Sequence, residues 1–302
     1  MPNTLVHIAI QSPASRIVAR DTDPKWIYVA CILPDVPWIV QRAIGTLAPA
    51  VDPVQLRYYV DAQGSLLGTL VLCAAISLCT RTTVQTFALL GANAVLHLAL
   101  DALEIKWANG VHLLAPFSWE YINIGLVWPE DPVILVLTLA GVLVLLVQAR
   151  ESVRRPIGLL VPPAPRIAAA VALLLIYLIA PLFLMDGPHE ADNHSLKSLS
   201  QAEDRTGLYV EFDRARLVKG TEADYIVGIT RDSVLVEGTL SAVPASVSVR
   251  GVFISDDVLR VTDFRIHPIG LRDALSIVGL AGVALIWAVS IGRVRSSLRN
   301  PS

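Results

Sequence analysis

Five apolar runs dominate this chain and restrict it to a fold built in a membrane. Each is long enough, or nearly long enough, to cross a hydrocarbon core of about 30 Å as a helix. Hydrophobic residues make up 54% of the chain and charged residues only 17%, which is far from the composition of a soluble domain. The sequence therefore predicts an α-helical polytopic membrane protein with clear spans at 65–79, 87–103, 133–147, 167–185 and 274–291.

Two weaker apolar segments precede these runs. The segment 4–18 is interrupted by Gln11 and Pro13, and the segment 26–44 is interrupted by Pro34 and Pro37. We expect them to form an imperfect first hairpin. The start of the chain lacks the basic region of a cleavable signal peptide, so we expect the first segment to be retained.

Basic residues gather in alternate loops and predict the orientation of the chain. By the positive-inside rule these loops are cytoplasmic, whereas the loops 45–64 and 104–132, which are poor in basic residues, face outward. One orientation satisfies every loop, with the N-terminus outside and the C-terminus in the cytoplasm. The cytoplasmic basic residues are Arg16, Arg20, Lys25, Arg81, Arg150, Arg154, Arg155, Arg166, Arg293, Arg295 and Arg299.

The composition changes abruptly at residues 186–271, where charged residues become frequent and apolar residues alternate. This pattern predicts a small all-β, extracytoplasmic domain, placed between a membrane domain at 1–185 and a C-terminal helix with a basic tail at 272–302. The Asp256-Asp257 pair indicates a tight hairpin. Because an open sheet would expose its edges, we expect a closed barrel of OB type. The predicted strands are 207–212, 223–230, 233–240, 246–254 and 258–266.

OB-like barrels often bind nucleic acid, but the composition of this one argues against it. The domain carries 14 acidic residues against 9 basic ones and has no aromatic cluster for base stacking. We therefore expect no nucleic acid partner. A stabilising module, or one that contacts an extracytoplasmic protein partner, is the favoured interpretation.

A stripe of polar residues runs along one face of the 87–103 helix. Asn93, His97, Asp101 and Glu104 follow one another at spacings of four, four and three. Such a stripe is costly in lipid, so it must face protein or a water-filled cavity in the outer half of the membrane. His97 and Asp101 could ligate one metal ion or could simply hydrogen-bond to each other and to a neighbouring helix. Glu104, at the outer boundary, is expected to be solvated.

Two further polar residues lie in apolar segments. His7 is near the outer end of the first segment, and Asp35 lies in CILPDVPW, where two prolines break the helix. His7 alone could be a hydrogen-bonded histidine of the helix bundle, and Asp35 could cap the helix that restarts after Pro34. Four such residues in separate places together favour a metal site.

These motifs resemble those of a family of prokaryotic inner-membrane proteins described as membrane-bound metal-dependent hydrolases. The resemblance covers residues 1–150 and includes His7 in NTLVHIAI, Leu33-Pro34-Asp35, HLALD, and Gly110 followed by the LLAPF turn. It implies a multi-pass protein of the bacterial inner (plasma) membrane. It also implies that His7, Asp35, His97 and Asp101 ligate a divalent metal, Zn²⁺ or a similar ion.

One departure from the family pattern concerns a motif with two histidines. This chain reads YYVDAQGSLLG at that place, with Tyr59 and Gly64 where the histidines would fall. Three interpretations are open: Asp61 replaces the missing ligands, a second metal is absent, or this branch has lost catalysis and keeps the fold.

The loop after the polar helix contains further candidates. His112 and Glu120 could each serve as a ligand or a general base, or be solvated surface residues, and with Asp61 they complete the set of catalytic candidates. Five aromatic residues in or beside the same loop are more typical of membrane anchoring than of substrate contact. They are Trp107, Phe117, Trp119, Tyr121 and Trp128.

The leading hypothesis is a metal-dependent hydrolase that acts on an ester or phosphoester of a membrane lipid or lipid-linked molecule at the outer face. A non-catalytic membrane scaffold, whose β domain binds an extracytoplasmic protein, is the alternative, and the missing histidine pair favours it. A transporter is third, because the chain shows neither the internal repeat nor the paired broken helices of one.

Overall fold

The computed structural model describes residues 3–192, 194–201, 203–221, 223–240 and 244–299. It combines a helical part with a β domain inserted before the last helix. The helices are α1 (Thr4–Val18), α2 (Pro24–Ala30), α3 (Val36–Leu47), α4 (Pro53–Gln63), α5 (Leu66–Ser77), α6 (Thr83–Leu103), α7 (Pro132–Arg154), α8 (Ala164–Ile179), α9 (Asp186–Ala191), α10 (Leu196–Ser200) and α11 (Leu271–Arg299). The strands are β1 (Tyr209–Lys219), β2 (Asp224–Val227), β3 (Ser233–Val236), β4 (Ala245–Ser255) and β5 (Val258–His267).

Several helices are suited to a membrane. Within the described residues, five stretches are long and apolar enough to cross one, and a sixth results if the bent pair α4 and α5 counts as a single span. Membrane association is therefore supported, while the kind of membrane and the orientation stay predictions. The five stretches are Pro24–Leu47, Thr83–Leu103, Pro132–Arg154, Ala164–Phe183 and Leu271–Arg293.

The predicted run 65–79 is not one straight span. It forms only the 12-residue α5, which α4 joins at an angle of 66°. Ser65 lies at the bend and is the N-cap of α5. Its hydroxyl accepts a hydrogen bond from the backbone N–H of Gly68 at 3.2 Å. The bend brings the polar α4 against the membrane helices.

The helix α1 is continuous through Pro13 and packs between later helices. Leu5 and Ile8 are fully buried in a cluster that includes Leu145 of α7 and Ile286 of α11. A Cβ atom at Gly141 would overlap the backbone carbonyl of Leu5, so only glycine allows α1 and α7 to lie this close. The first weak segment is thus a core helix.

The second weak segment breaks where its prolines predict. A single 3₁₀ turn, Leu33–Asp35, separates α2 from α3. Asp35 occupies the N-cap position of α3, but its side chain makes no capping hydrogen bond. The capping role considered for Asp35 is therefore wrong, and its carboxylate turns to the helix bundle instead.

The β domain is the predicted five-stranded closed barrel. The strands follow the order β1-β2-β3-β5-β4, with β3 and β5 parallel and the other neighbours antiparallel. The hairpin between β4 and β5 turns at Asp256-Asp257, as predicted. Strand β1 extends well beyond the predicted 207–212 because its inward positions stay apolar as far as Leu217.

The barrel docks on the loop between α6 and α7. Arg214 donates to Glu130 at 2.7 Å, and the guanidinium groups of Arg250 and Arg265 lie over the rings of Trp107 and Trp128 at 4.2 and 5.0 Å. Trp107 is buried. The expectation of plain membrane anchoring is therefore wrong for Trp107, while for the partly buried Trp128 it stays a prediction; both tryptophans contact arginines of the barrel.

Candidate metal centre

The polar stripe of α6 faces the helix bundle, as its cost in lipid requires. Asn93, His97 and Asp101 are all buried, and α1 packs along the same face so that His7, also fully buried, lies beside His97. The two imidazole rings stack in parallel, with their centroids 3.7 Å apart. The spacing of four residues on α6 and the packing of α1 together create the centre.

The nitrogen and oxygen atoms of this centre converge. His7 Nε2 lies 3.4 Å from Asp101 Oδ1, and His97 Nε2 lies 3.9 Å from Asp101 Oδ2. Asp35, from the break before α3, places Oδ1 3.4 Å from His97 Nε2. Ligand atoms of His7, His97 and Asp101 all lie within 4.8 Å of one another. The structure thus brings together the four residues that the sequence predicts as ligands.

These separations match the spacing of ligands around zinc. With bonds of about 2.0 to 2.1 Å, the corners of a tetrahedral site lie about 3.4 Å apart. Two imidazoles and two carboxylates also form a donor set that suits Zn²⁺ and similar divalent ions. The residues therefore fit a bound metal, although the identity of the metal stays a prediction.

The hydrogen bonds of the centre are incomplete without a ligand. Among the described residues, His7 Nε2, His97 Nε2, Asp35 Oδ1 and Asp101 Oδ1 are buried and form no hydrogen bond, although His7 Nε2 lies 3.4 Å from Asp101 Oδ1 and His97 Nε2 lies 3.4 Å from Asp35 Oδ1. A buried polar atom without a hydrogen bond costs about 1–3 kcal/mol. The atoms thus lie close together without being bonded to one another, an arrangement that is compatible with a bound ion.

A second polar residue orients His7. The side-chain amide of Gln11 lies one turn along α1 and is 3.3 Å from His7 Nδ1. His7 Nε2 is the ring nitrogen that faces Asp101. Metal ligation through Nε2 requires the proton on Nδ1, so Gln11 supports it when its carbonyl oxygen, and not its amide nitrogen, faces Nδ1. Gln11, which interrupts the apolar pattern of the sequence, supports the centre in that orientation.

Glu104 is buried, so the expectation that it is solvated is wrong. Lys106, from the loop after α6, lies 3.6 Å from Glu104 Oε2 and 3.5 Å from Asp101 Oδ2. Burial disfavours the ammonium, but Asp101 and Glu104 raise the pKa of Lys106 above its ordinary value. A fixed positive charge therefore lies beside the candidate metal ligands.

A second polar group lies next to the centre. Asp61 accepts a hydrogen bond from Arg57 Nε at 3.1 Å and lies 3.5 Å from the hydroxyl of Tyr121. The centroid of the Tyr121 ring lies 4.5 Å from that of the His112 ring. Burial lowers the pKa of His112 below its usual value, so the ring is neutral at pH 7 and able to accept a proton. Among the described residues, neither ring nitrogen of His112 has a hydrogen-bond partner.

A small cavity joins the two groups. It has a volume of about 20 Å³, enough for one water molecule. Asp101 and Lys106 line one part of its wall, and Asp61 and His112 line another. The cavity therefore places a water-sized space between the candidate metal ligands and a neutral imidazole.

Glu120 lies apart from this arrangement. It is exposed, and its backbone N–H donates to the hydroxyl of Ser118 at 3.3 Å. The structure thus groups Asp61 and His112 with the centre but leaves Glu120 outside it. A catalytic role for Glu120 stays a prediction that this placement does not support.

Sequence reasoning missed Lys106 and Arg57. Both lie in the predicted outward loops, and each is four or five residues from a candidate functional carboxylate, Asp61 or Asp101. An isolated basic residue beside an acidic one at the edge of a span was the available signal.

Comparison of the chain with protein-family models, with curated proteins and with solved structures finds no match.

Proposed function

We propose that this protein is a membrane-bound metal-dependent hydrolase. It acts on an ester or phosphoester of a lipid or lipid-linked molecule at the outer face of a bacterial inner membrane. The convergence of His7, His97 and Asp101, with Asp35 at 3.4 Å from His97, carries the proposal. A divalent ion held there would polarise the scissile bond and lower the pKa of a coordinated water.

The residues around the small cavity supply the proton chemistry. His112 is neutral and faces the one-water space, so it accepts the proton of the attacking water. Asp61 is fixed by Arg57 and lies near Tyr121, which packs against His112. The ring contact with Tyr121 restricts the orientation of the candidate base, which favours acid–base catalysis.

Lys106 favours an anionic substrate. Its ammonium lies at the wall that the cavity shares with Asp101, where it can bind a negatively charged oxygen. A phosphodiester presents such an oxygen before and during attack, whereas a neutral carboxyl ester develops one only in the transition state. The charge arrangement therefore supports a phosphoester substrate more strongly than a carboxyl ester.

Metal analysis of the full-length protein, purified in detergent without chelators, tests the proposal. We expect near-stoichiometric divalent metal in the parent protein. His97→Ala and Asp101→Ala should lose most of this metal. Substitution of a residue that only supports a ligand typically lowers metal affinity by roughly 10- to 100-fold, and loss of a ligand should lower it further. His267→Asn is the matched control, because His267 is also buried beside a carboxylate but lies in the barrel.

Hydrolysis assays complete the test. The parent protein should cleave a fluorescent phosphodiester lipid in vesicles, and His112→Gln should slow cleavage without lowering metal content. Lys106→Met should impair phosphodiester cleavage more than carboxyl-ester cleavage. A folded parent protein without metal would overturn the hydrolase proposal and favour the scaffold. A protein that holds metal but cleaves neither substrate would overturn the catalytic part alone.

A further inference from the structure

A large groove lies along α6, toward the opposite end of the helix from the candidate metal centre, and shares only Asn93 with the polar stripe. Its volume is about 1020 Å³, at the upper end of the roughly 300–1000 Å³ of ligand pockets. Thr82 and Gln85 lie at the end where α6 begins, and Leu96 lies at the deep end. The groove therefore follows α6 for about 21 Å, longer than the roughly 15 Å depth of one bilayer leaflet.

The deep part of the groove is suited to an apolar ligand. Leu89 and Leu96 contribute apolar side chains to its wall, and Val18, two residues before Arg20, adds apolar surface near the rim. The polar residue at this end, Asn93, is already paired: its amide donates to Ser15 Oγ at 2.9 Å and to the carbonyl of Leu89 at 2.9 Å. An occupant of the deep part gains contacts by burying hydrocarbon there and needs no polar atom.

The rim carries two opposite charges that form no salt bridge with the described residues. Arg20 and Asp21 are exposed neighbours, and neither forms a salt bridge with any residue in the described part of the chain. The turn that holds them is fixed, because Arg155 Nη1 donates to the backbone carbonyl of Asp21 at 2.5 Å. The rim thus presents a cation and an anion side by side above an apolar groove.

We propose that this groove binds a zwitterionic phospholipid of the leaflet on the arginine-rich side. The phosphate lies at Arg20, the headgroup ammonium lies at Asp21, and an acyl chain follows α6 toward Leu96. A phosphoethanolamine headgroup satisfies both rim charges, whereas an anionic headgroup leaves Asp21 facing negative charge. This site is separate from the metal centre and depends on neither metal nor hydrolysis.

Native mass spectrometry of the full-length protein tests the site with two defined lipids, dioleoyl phosphatidylethanolamine and dioleoyl phosphatidylglycerol. The parent protein should retain one phosphatidylethanolamine in preference to phosphatidylglycerol. Ala92→Trp, which fills the groove from an exposed position on its wall, should lower that binding at least about tenfold. Ala168→Trp, at an exposed position on α8 outside the groove, is the matched control and should bind as the parent does.

Rim variants separate the headgroup from the chain. Asp21→Asn should reduce the preference for phosphatidylethanolamine by about threefold, the scale of one exposed charge pair. Ala88→Trp provides a second blocking variant if Ala92→Trp fails to fold. If the groove variants and Ala168→Trp lose equal amounts of bound lipid, the retained lipid is bound non-specifically and the proposal is overturned. A preference of the parent for phosphatidylglycerol would overturn the headgroup assignment.

Discussion

Two buried histidine–carboxylate groups in this molecule differ in one respect that separates their roles. In the candidate metal centre, His7 and His97 face Asp101 and Asp35 at 3.4 to 3.9 Å. At the barrel junction, His267 lies 3.2 Å from Glu130 through Nδ1 and 2.8 Å from the hydroxyl of Ser248 through Nε2. The junction histidine thus has a close hydrogen-bond partner of its own, whereas the two histidines of the candidate centre share two carboxylates at longer distances.

The junction has further partners within the protein. In addition to its contact with His267, Glu130 accepts a hydrogen bond from Arg214 at 2.7 Å. The hydroxyl of Ser248 donates a hydrogen bond to Asp213 at 3.0 Å. His267 Nε2 therefore has a hydrogen-bond partner at 2.8 Å, whereas neither ring nitrogen of His97 forms a hydrogen bond with the described residues. The contact of His267 Nδ1 with Glu130 at 3.2 Å is not a hydrogen bond either, so the junction differs in having more partners, not in having every atom paired.

The largest expected effect is stabilisation of the centre by metal. Free metal at about 1000 times its Kd should stabilise the parent protein by about 4 kcal/mol. His97→Leu should abolish this response, because it removes a ligand, whereas His267→Asn should keep it. Melting temperatures in detergent, measured with zinc and with a chelator, check the prediction. An equal response in the parent and in His97→Leu would erase the distinction between the two groups.

The next effect concerns the junction. Glu130→Ala should destabilise barrel docking by about 3 kcal/mol, because it leaves His267 and the Arg214 guanidinium without their carboxylate. Hydrogen exchange in 104–131 and in β1 should rise, while metal content should stay at the parental value. Metal loss in this variant would show that the barrel helps to hold the centre.

A smaller effect is expected where α1 meets α7. Gly141→Ala should cost about 2 kcal/mol, because the added methyl group forces α1 away from α7. Since α1 carries His7, metal affinity should fall together with thermal stability. Gly45→Ala is the control, because a Cβ atom at Gly45 meets no neighbour within 4 Å. Unchanged metal affinity in a destabilised Gly141→Ala would argue against His7 as a ligand.

The smallest effect is a pH dependence of docking. Although burial opposes its charge, contacts with His267 and Arg214 lower the pKa of Glu130 to about 2. A carboxyl with a depressed pKa stabilises the folded state above about pH 4.5 and loses this contribution as the pH falls to about 2. Because Glu130 is partly exposed, we expect only about 1 kcal/mol. Hydrogen exchange of β1 should rise over this range in the parent protein and stay flat in Glu130→Gln.

Much of the architecture could be predicted from periodicity. The alternating pattern at 186–271 predicts the five strands, and the apolar runs predict four of the five stretches that the described residues offer as spans, because burial of apolar side chains dictates both. The fifth stretch, Pro24–Leu47, comes from a segment predicted as weak, and the run 65–79 is not a straight span. The bend between α4 and α5 was missed. Asp61 and Gln63 made α4 look like a loop, and only tertiary packing makes such a polar helix stable beside a span.

The centre was predictable in part. The spacing of His97 and Asp101 follows from helix geometry alone, and the helix break at Pro34 marks Asp35. The proximity of His7 required the packing of α1 against α6, which no local pattern encodes. The predicted exposure of Glu104 was wrong because its partner, Lys106, lies beyond the end of α6. Helical periodicity does not predict where side chains point outside a helix.

The enclosure of α1 links the centre to distant parts of the sequence. At 15 residues, or about 22 Å, α1 is too short to cross the hydrocarbon core of about 30 Å as an upright helix. The helices that cover it, α7 and α11, follow all four candidate ligands in the sequence. The burial of His7 therefore depends on residues far beyond Asp101, and residues 3–103 alone would leave one side of α1 uncovered.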